Sequence, residues 1–493
     1  MTELNRRMSA LDASFLYLER PNALLHVAGV YTVAEAVDYE DLVRDVERRL
    51  PLIPRYVQRA AMVPYNLGHP TWEFDPDFNI RNHVRRHQLA RPQDDKALAQ
   101  LCAKLFAEPL DRARPLWEMH LIEGYQDKGC AILMKAHHAM IDGASGVALI
   151  NILLDPNPKP VQIDRELVLP APSALPSPFA RALEGLSDSI RSQYDVLKRA
   201  GGLWGDLRKA VEETRATVEA STTLARTVLE GVTPMPFNGT LSEKRAIAWS
   251  RLSLNEIKTL KSRFGGTVND VVLTIISGAL GRYLQSRGVK TIGRELKAMV
   301  PVNVREAKEQ GALGNRVSTI IAELPIGIPD PVSRLRHISA SMELIKMSGM
   351  IGQVKRIVGL ADLLPPVLQA PLSRLQGAVS PVHTICTNVP GPRERRYLLG
   401  KPVDLMVPLV PLGANIGLGF AILSYADQLT IGINADAEKV RDPGKIAEAI
   451  DAAFEELWSA SGLERVRPVP RVETALQRRQ RLHSEKEDPS VSS

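Results

Sequence analysis

The spacing of apolar residues predicts alternating strands and helices over residues 1–155. Three segments, Leu25–Val33, Leu116–Glu123 and Ala131–Lys135, have the apolar pattern of strands. Between them, Tyr39–Leu50 and Asp94–Leu105 place apolar residues three or four positions apart, as on one face of a helix. This alternation predicts an α/β lobe that ends near residue 155.

A proline-rich stretch follows this lobe. The segment Asp155–Pro178 is rich in proline, which indicates a linker. Phe179–Glu230 then carries apolar residues at helical steps opposite a charged face. We therefore predict that residues 156–240 form a proline-rich and helical linker between two lobes.

Residues 241–468 repeat the α/β pattern and are predicted to form the second lobe. Ser253-Leu-Asn-Glu256 has the form of a capping box at a helix start, and Thr267-Val-Asn-Asp270 resembles another helix start. A last helix is predicted to begin at Asp442-Pro443, and the polar residues 469–493 are predicted to be disordered. The strands predicted in this lobe are Ala298–Val304, Arg316–Leu324 and Pro381–Val389.

One uncharged stretch, Leu405–Ala426, is long enough to cross a bilayer. Prolines and glycines interrupt it, and near its end Phe420–Tyr425 and Leu429–Asn434 resemble two strands around an Asp427-Gln428 turn. Because proline and glycine are the stronger local signal, we favour a buried hairpin over a transmembrane helix.

Composition places the chain among globular proteins. Of 493 residues, 44% are hydrophobic and 24% are charged, and the net charge is +6. The positive excess is spread along the chain, so it favours anionic lipid headgroups or a phosphate-bearing cofactor and not nucleic acid. Cys102, Cys130 and Cys386 fit neither a disulfide framework nor a zinc site, and the N-terminus lacks a secretory signal. A cytoplasmic location is expected.

The candidate chemistry is concentrated in the sequence CAILMKAHHAMIDGASG. An apolar strand runs into His137-His138, and Asp142-Gly143 follow before a short apolar helix. Polar groups at the end of a strand are a common arrangement for chemistry in α/β folds. If the pair is extended, the two imidazoles point to opposite sides, so one can face a cleft while the other packs beneath it. Gly143 permits a backbone conformation that a larger residue would resist.

A metal site and a purely structural histidine pair are the alternatives for this motif. Adjacent histidines on a strand do not converge on one ion, and the motif lacks the i, i+4 histidine spacing of a helical zinc site. An isolated histidine pair would be ordinary in a core, but the Asp-Gly that follows at this spacing favours a functional role. We therefore expect no metal.

The motif HHxxxDG belongs to the coenzyme-A-dependent acyltransferase superfamily, which includes chloramphenicol acetyltransferases and peptide-synthetase condensation domains. The chain more closely resembles the bacterial wax ester synthase/diacylglycerol acyltransferase family. The matching segments follow the family's order: MSALDASFLYLE, Pro115-Leu116-Trp117, HHAMIDG, Asn269-Asp270, Met299–Arg305 and Asn388-Val-Pro-Gly-Pro392.

This resemblance implies two chloramphenicol-acetyltransferase-like, Rossmann-like α/β lobes joined by a helical crossover, with an active-site tunnel between them. In such enzymes the second histidine is the general base, which here is His138. It would take the acceptor's hydroxyl proton as the oxygen attacks the acyl-CoA thioester, a step that commonly contributes about 10²–10⁴-fold. The resemblance further implies that Asp142, with Gly143, holds the loop through an arginine that the sequence does not identify. His137 would hydrogen-bond below the site.

The same resemblance assigns Asn269, Asp270 and the Pro115-Leu116-Trp117 segment to substrate binding. Asn269 is either a donor to the thioester oxygen, or a tunnel-organising residue, or an ordinary residue of a first helical turn. Asp270 is better explained by the Thr267 cap, and Leu and Trp on a strand favour the core.

The predicted function is O-acyl transfer from long-chain acyl-CoA, a substrate and not a permanently bound cofactor. The acceptor is diacylglycerol (triacylglycerol synthesis), a long-chain alcohol (wax ester synthesis), or both. The alternatives are transfer to another hydroxyl, such as a glycolipid or polyketide alcohol, and a catalytically silent lipid-binding protein. The intact HHAMIDG argues against the silent form.

A peripheral position, on the inner face of the plasma membrane or on lipid droplets, is expected because the lipid substrates are insoluble. The candidate contact is Ile351–Arg374, which is apolar, carries three cations and is broken by two prolines. The alternative is a pair of core helices.

Other candidate chemistries are weaker. Ser145 lacks the spacing of a nucleophile elbow, and the sequence contains no Walker phosphate-binding loop. His383 and Cys386, three residues apart on a strand, face opposite ways. The histidines without a partner pattern are interpreted as ordinary surface or core residues: His26, His69, His83 and His87.

Overall fold

The computed structural model describes residues 7–141, 143–163, 232–303, 317–347, 366–367, 369, 371, 382–413 and 415–464. Some predictions fall on other residues and lie outside the described part of the chain. These are the helical connector Phe179–Glu230, the C-terminal tail, Asp142 and most of Ile351–Arg374.

Helices and strands alternate in both halves of the described chain, which confirms the α/β class. The helices are α1 (Ala10–Leu18), α2 (Tyr39–Arg49), α3 (Asp95–Ala107), α4 (Gly143–Leu153), α5 (Leu254–Phe264), α6 (Val268–Ser286), α7 (Pro331–Met347) and α8 (Gly444–Ser461). The strands are β1 (His26–Val33), β2 (Gln58–Ala61), β3 (Thr71–Phe74), β4 (Val84–Gln88), β5 (Trp117–Tyr125), β6 (Gly129–His137), β7 (Arg245–Ser253), β8 (Glu295–Asn303), β9 (Val317–Pro325), β10 (Thr384–Pro390), β11 (Tyr397–Leu398), β12 (Lys401–Leu409), β13 (Leu418–Tyr425) and β14 (Gln428–Asp436).

The first lobe is built on a six-stranded sheet with the order β11-β12-β1-β6-β5-β4. β6 lies inside this sheet, antiparallel to β1 and β5, and all its residues are buried. Ile132 and Met134 pack on the side of α2 and α4, whereas Ala131 and Leu133 pack on the side of α3. A strand that is covered on both faces has a continuous run of apolar residues in its sequence, and for this reason β6 could be predicted.

The second lobe is built on another six-stranded sheet, with the order β7-β14-β13-β10-β8-β9. β10 runs parallel to both of its neighbours, β13 and β8. Helices α5 to α8 share one apolar core with this sheet. The predicted helix start at Thr267 is confirmed. It is a capping box, because Thr267 Oγ1 accepts from the amide of Asp270 at 3.2 Å and Asp270 Oδ2 accepts from the amide of Thr267 at 2.8 Å.

Strand β12 connects the two lobes in a way that the sequence pattern did not predict. It comes late in the chain, yet it lies in the first sheet, antiparallel to β1, with Val407 opposite Val30. β12 also packs against β14 of the second sheet, where a Cβ at Gly432 would collide with the carbonyl oxygen of Pro408. Only glycine allows this approach, so Gly432 is fixed by the packing of one sheet on the other.

The predicted hairpin at the end of the uncharged stretch is confirmed as β13 and β14. Tyr425 pairs with Gln428, so the two turn residues are Ala426 and Asp427, one position earlier than predicted. Ala426 adopts a positive φ of 51°, which lets the turn close there. The beginning of the stretch, residues 405–409, lies in β12 and so in the other sheet.

Among the described residues, no single helix is long and apolar enough to cross a membrane. Helices α5 and α6 meet the length and composition criterion only as a pair, and the pair is bent by 100°.

Candidate active site

Strand β6 delivers the two histidines to a turn. His137 is the last residue of the strand, and the chain turns before α4 begins at Gly143. The amide of Met140 donates to the carbonyl of His137 at 2.9 Å and closes the turn. Asp142 lies outside the described residues, so its pairing with an arginine stays a prediction.

His137 packs beneath the turn, with 1% of its surface exposed. Its Nδ1 accepts a hydrogen bond from the amide of Ala139 at 3.0 Å, so the neutral ring carries its proton on Nε2. That Nε2 lies 3.4 Å from Oε1 of Glu19. The ring orientation and tautomer of His137 are therefore set by two neighbours.

Glu19, at the end of α1, is the carboxylate around which these groups gather. Its Oε1 accepts from the amide of Leu25 at 3.1 Å, and its Oε2 lies 2.5 Å from a guanidinium nitrogen of Arg112. Burial opposes a charge on Glu19, but His137 and Arg112 outweigh it and hold the pKa of this carboxyl well below its usual range. Glu19 is therefore a largely buried anion next to the histidine pair.

His26 also belongs to this cluster, although its sequence context shows no partner pattern. It lies opposite His137 in the pairing of β1 with β6, with ring centroids 6.1 Å apart, and its Nε2 is 3.6 Å from Glu19 Oε1. Burial, reinforced by the positive charge of Lys135, lowers the pKa of His26 to about 3. His26 is therefore neutral at pH 7.

His138 follows on the turn and is partly exposed. Its amide donates to the carbonyl of Leu25 at 2.8 Å, which fixes its backbone. Its ring stacks on Phe15, with centroids 4.1 Å apart and planes inclined by 17°. One face of the imidazole is thus covered and Nδ1 is buried, while the residue as a whole keeps partial exposure.

The N-terminal segment supplies a neighbour for each of the two histidines, Phe15 for His138 and Glu19 for His137. The sequence analysis did not predict this role. α1 begins after Ser9, whose Oγ accepts from the amide of Asp12 at 3.0 Å, and it carries Phe15 to His138 and Glu19 to His137. In the sequence MSALDASFLYLE, a serine that can cap a helix is followed by apolar residues, and this pattern could have predicted α1. Spacing within that segment does not reveal which distant residues it contacts.

A buried ion pair lies on β6 just before the histidines. Lys135 is fully buried, and its Nζ is 2.9 Å from Oε2 of Glu118. The same Nζ donates to the carbonyls of Leu105 and Glu108, each at 3.0 Å. Burial lowers the pKa of Lys135 and Glu118 opposes that effect. Because both carbonyls lie at the end of α3, Lys135 ties this helix to the strand that bears the histidines.

In the second lobe, the structure brings Asn269 and Asn388 together. Asn269 lies in the first turn of α6 and is partly exposed, and its Oδ1 accepts from Nδ2 of Asn388 at 3.4 Å. Asn388 is near the end of β10, against which α4 packs. Asp270 is 3% exposed and its described contacts are those of the helix cap, so its place in substrate binding stays a prediction.

Leu116 and Trp117 lie in the core, and each is 1% exposed. The indole N–H of Trp117 donates to the carbonyl of Tyr56 at 2.7 Å, and its ring stacks on His83 with centroids 4.6 Å apart. The carbonyl of Leu116 accepts from the amide of His137 at 2.9 Å. The segment thus supports the histidine strand, and its predicted contact with substrate stays a prediction.

The rival nucleophile pair has structural contacts. Nδ1 of His383 accepts from the amide of Lys297 at 2.9 Å and its Nε2 donates to the carbonyl of Thr233 at 3.1 Å. Burial raises the pKa of Cys386, which disfavours the thiolate. Among the described residues, which omit Asp142, no three His, Cys, Asp or Glu side chains are grouped to hold a metal ion.

Comparison with known proteins decides the family. A model of the wax ester synthase/diacylglycerol acyltransferase catalytic domain matches residues 8–272, and a model of the C-terminal domain matches residues 313–458. The chain belongs to the wax ester synthase/diacylglycerol acyltransferase family. The catalytic-domain match contains both histidines, Glu19 and Asn269, and the C-terminal match contains Asn388.

Individual relatives agree with this assignment. A probable diacylglycerol O-acyltransferase of Mycobacterium tuberculosis is 31% identical over 468 residues, which cover 93% of this chain and 97% of the relative. The structure of the wax ester synthase/diacylglycerol acyltransferase from Marinobacter aquaeolei VT8 has a TM-score of 0.65 at 22% identity, over 93% of this chain and 100% of that one. The starter condensation domain of rhizomide synthetase, solved with C8-CoA and Leu-SNAC, has a TM-score of 0.53 at 12% identity. The match covers 93% of this chain and 94% of that one.

The two structural similarities confirm the predicted fold of two acetyltransferase-type α/β lobes. The family match establishes the class of chemistry. The protein is therefore an acyltransferase of a family that uses acyl-CoA and makes wax esters and triacylglycerols.

Proposed function

We propose that His138 is the general base in the transfer of a long-chain acyl group from acyl-CoA to a lipid hydroxyl. The hydroxyl oxygen attacks the thioester carbonyl carbon while the imidazole takes the hydroxyl proton. The C–S bond then breaks, and the imidazolium returns the proton to the departing thiolate of coenzyme A. The products are an ester and free coenzyme A, and no acyl-enzyme intermediate forms.

One observation carries this proposal: the two histidines of the motif have different environments. His137 is buried, with both ring nitrogens facing protein neighbours, whereas His138 is partly exposed on the turn with one ring face on Phe15. A proton acceptor must reach the substrate, and a ring held on one face is already oriented for that task. The partial exposure of His138 and its stack on Phe15 support this role.

Asn269 is the proposed donor to the thioester oxygen. The oxygen gains negative charge as the tetrahedral intermediate forms, and a preorganised N–H donor stabilises that charge. Asn269 is partly exposed and belongs to the catalytic-domain match, as the histidines do. Removing a donor of this kind typically lowers kcat by about 10²–10³-fold.

The proposed acceptors are diacylglycerol and long-chain alcohols. Purified protein incubated with palmitoyl-CoA is expected to form triacylglycerol from dioleoylglycerol, wax ester from hexadecanol, or both, at the same rate with and without EDTA. Hydrolysis of the thioester without acceptor is the background to subtract. Ester formation only with a glycolipid or polyketide alcohol would favour the second acceptor class. If no ester forms with any acceptor, a silent lipid-binding protein is favoured. If EDTA abolishes ester formation and added zinc restores it, a metal site is favoured.

We further infer that the enzyme works at a lipid surface, because its acceptors and products do not dissolve in water. Leu344 and Met347 at the end of α7 are 64% and 69% exposed, and the exposed Lys346 lies between them in sequence. Exposed apolar side chains beside a cation are typical of interfacial helices on anionic lipid. The chain continues from α7 toward Ile351–Arg374, the contact predicted from sequence.

Changing Leu344 and Met347 together to serine is expected to weaken sedimentation with phosphatidylglycerol vesicles by at least about threefold, because apolar area buried in the interface is removed. The melting temperature should stay unchanged, since both side chains are exposed. Ile292→Ser is the matched control, because Ile292 is 89% exposed elsewhere in the same lobe. Equal vesicle binding by all three proteins would refute this surface.

A further inference from the structure

The amide of Asn269 has an orientation that the general-base mechanism does not explain. A carboxamide has one side that accepts hydrogen bonds, its oxygen, and one side that donates them, its NH2 group. If Asn269 is to donate to the thioester oxygen, its NH2 group must face the substrate. The opposite orientation would place the carbonyl oxygen of Asn269 against the developing oxyanion, and two negative dipoles would repel.

Asn388 is the described neighbour that contacts this amide. Its Nδ2 is 3.4 Å from Oδ1 of Asn269, so an N–H of Asn388 donates to the acceptor side of the Asn269 amide. With the oxygen engaged in this way, the NH2 group of Asn269 points away from Asn388. The hydrogen bond thus selects one of the two orientations that a lone asparagine could adopt.

The position of Asn388 places this contact next to the histidine turn. β10 lies within the second sheet, and α4, the helix that follows the turn, packs against it. Val389, the next residue, packs on the same apolar cluster as Met140 of the turn. Asn388 itself is partly exposed.

We propose that Asn388 is a positioning residue that holds the NH2 group of Asn269 toward the thioester oxygen. This inference rests on the proposed function of Asn269 as the oxyanion donor. Asn388 itself makes no contact with the reacting atoms. Its contribution is to preorganise the donor, so that no amide rotation is needed as negative charge develops.

Asn388→Asp is the variant that tests this role. A carboxylate has the same shape but only accepts, so Asn269 must rotate to donate its NH2 group to it, which turns the Asn269 oxygen toward the substrate. We expect kcat to fall by about 10–100-fold, with the KM for acyl-CoA changed by less than about twofold. Asn238→Asp is the matched control: the Asn238 amide donates to the carbonyls of His383 and Asn415, so that variant should lower the melting temperature and leave kcat unchanged.

A double-mutant cycle separates positioning from the effect of an added charge. In an Asn269→Ala background, Asn388→Asp has no amide to rotate, so its effect on kcat should disappear. An equal fall of kcat in both backgrounds would overturn the proposal, because the new charge or a structural change would then be the cause. Unchanged kcat in Asn388→Asp would overturn it as well. Unchanged kcat in Asn269→Ala alone would instead refute the proposed function of Asn269, a distinguishable result.

Discussion

Replacing His138 with alanine is expected to lower kcat by about 10²–10⁴-fold, the usual contribution of a positioned acid–base group. The substrate hydroxyl would then have no imidazole to accept its proton, and water would replace the imidazole poorly. His138 is partly exposed, and alanine removes chiefly its stack on Phe15. The melting temperature and the affinity for acyl-CoA should therefore change little. Steady-state kinetics with palmitoyl-CoA measure kcat and KM, and thermal denaturation measures the melting temperature.

His337→Ala is the matched control for this experiment. His337 lies on α7 with 41% of its side chain exposed, beside Glu295. Its removal deletes an imidazole of the same size without touching the histidine turn, so kcat should stay at the wild-type value. If His138→Ala turns over at a rate close to that of His337→Ala, the proposed mechanism is wrong.

The elements of the fold were largely evident in the sequence because their signals are local. β6 is a continuous apolar run, and the cap of α6 is contained in the four residues Thr267 to Asp270. A strand end that bears His137 and His138 indicates a site without any knowledge of the partner elements. Each of these inferences depends on neighbours in sequence.

The residues that sequence reasoning missed depend on contacts between distant segments. The alternation within β12 is the same whether the strand joins the first or the second sheet, so only packing assigns it to β1. Glu19 ends an ordinary short helix, and nothing in its own segment indicates the imidazole of His137. The contact of Asn388 with Asn269 likewise joins the end of a strand to the first turn of a helix.

The most consequential of these contacts is that of Glu19, and Glu19→Leu is expected to lower kcat by about 10–100-fold. The substitution leaves the amide of Leu25 without its acceptor and removes the carboxylate that lies 3.4 Å from Nε2 of His137. Hydrogen bonds to a buried charge typically contribute about 1.5–3 kcal/mol, so the free energy of unfolding should also fall by that order. The turn that carries His138 is then displaced, and displacement of about 1 Å is enough for a 10²-fold loss.

Comparison with Glu19→Gln separates positioning from simple loss of charge. Glutamine keeps an oxygen that accepts from the amide of Leu25 and lies near Nε2 of His137, but it loses the ion pair with Arg112, whose side chain is 47% exposed. If the acceptor oxygen positions the turn, Glu19→Gln should retain most of the wild-type kcat. The KM for acyl-CoA should be the same in the wild type, Glu19→Leu and Glu19→Gln. Glu40→Gln, which breaks an exposed ion pair with Arg81, should change neither quantity. Equal losses of kcat in the leucine and glutamine variants would show that the charge of Glu19 matters and not its oxygen, and the positioning role would have to be abandoned.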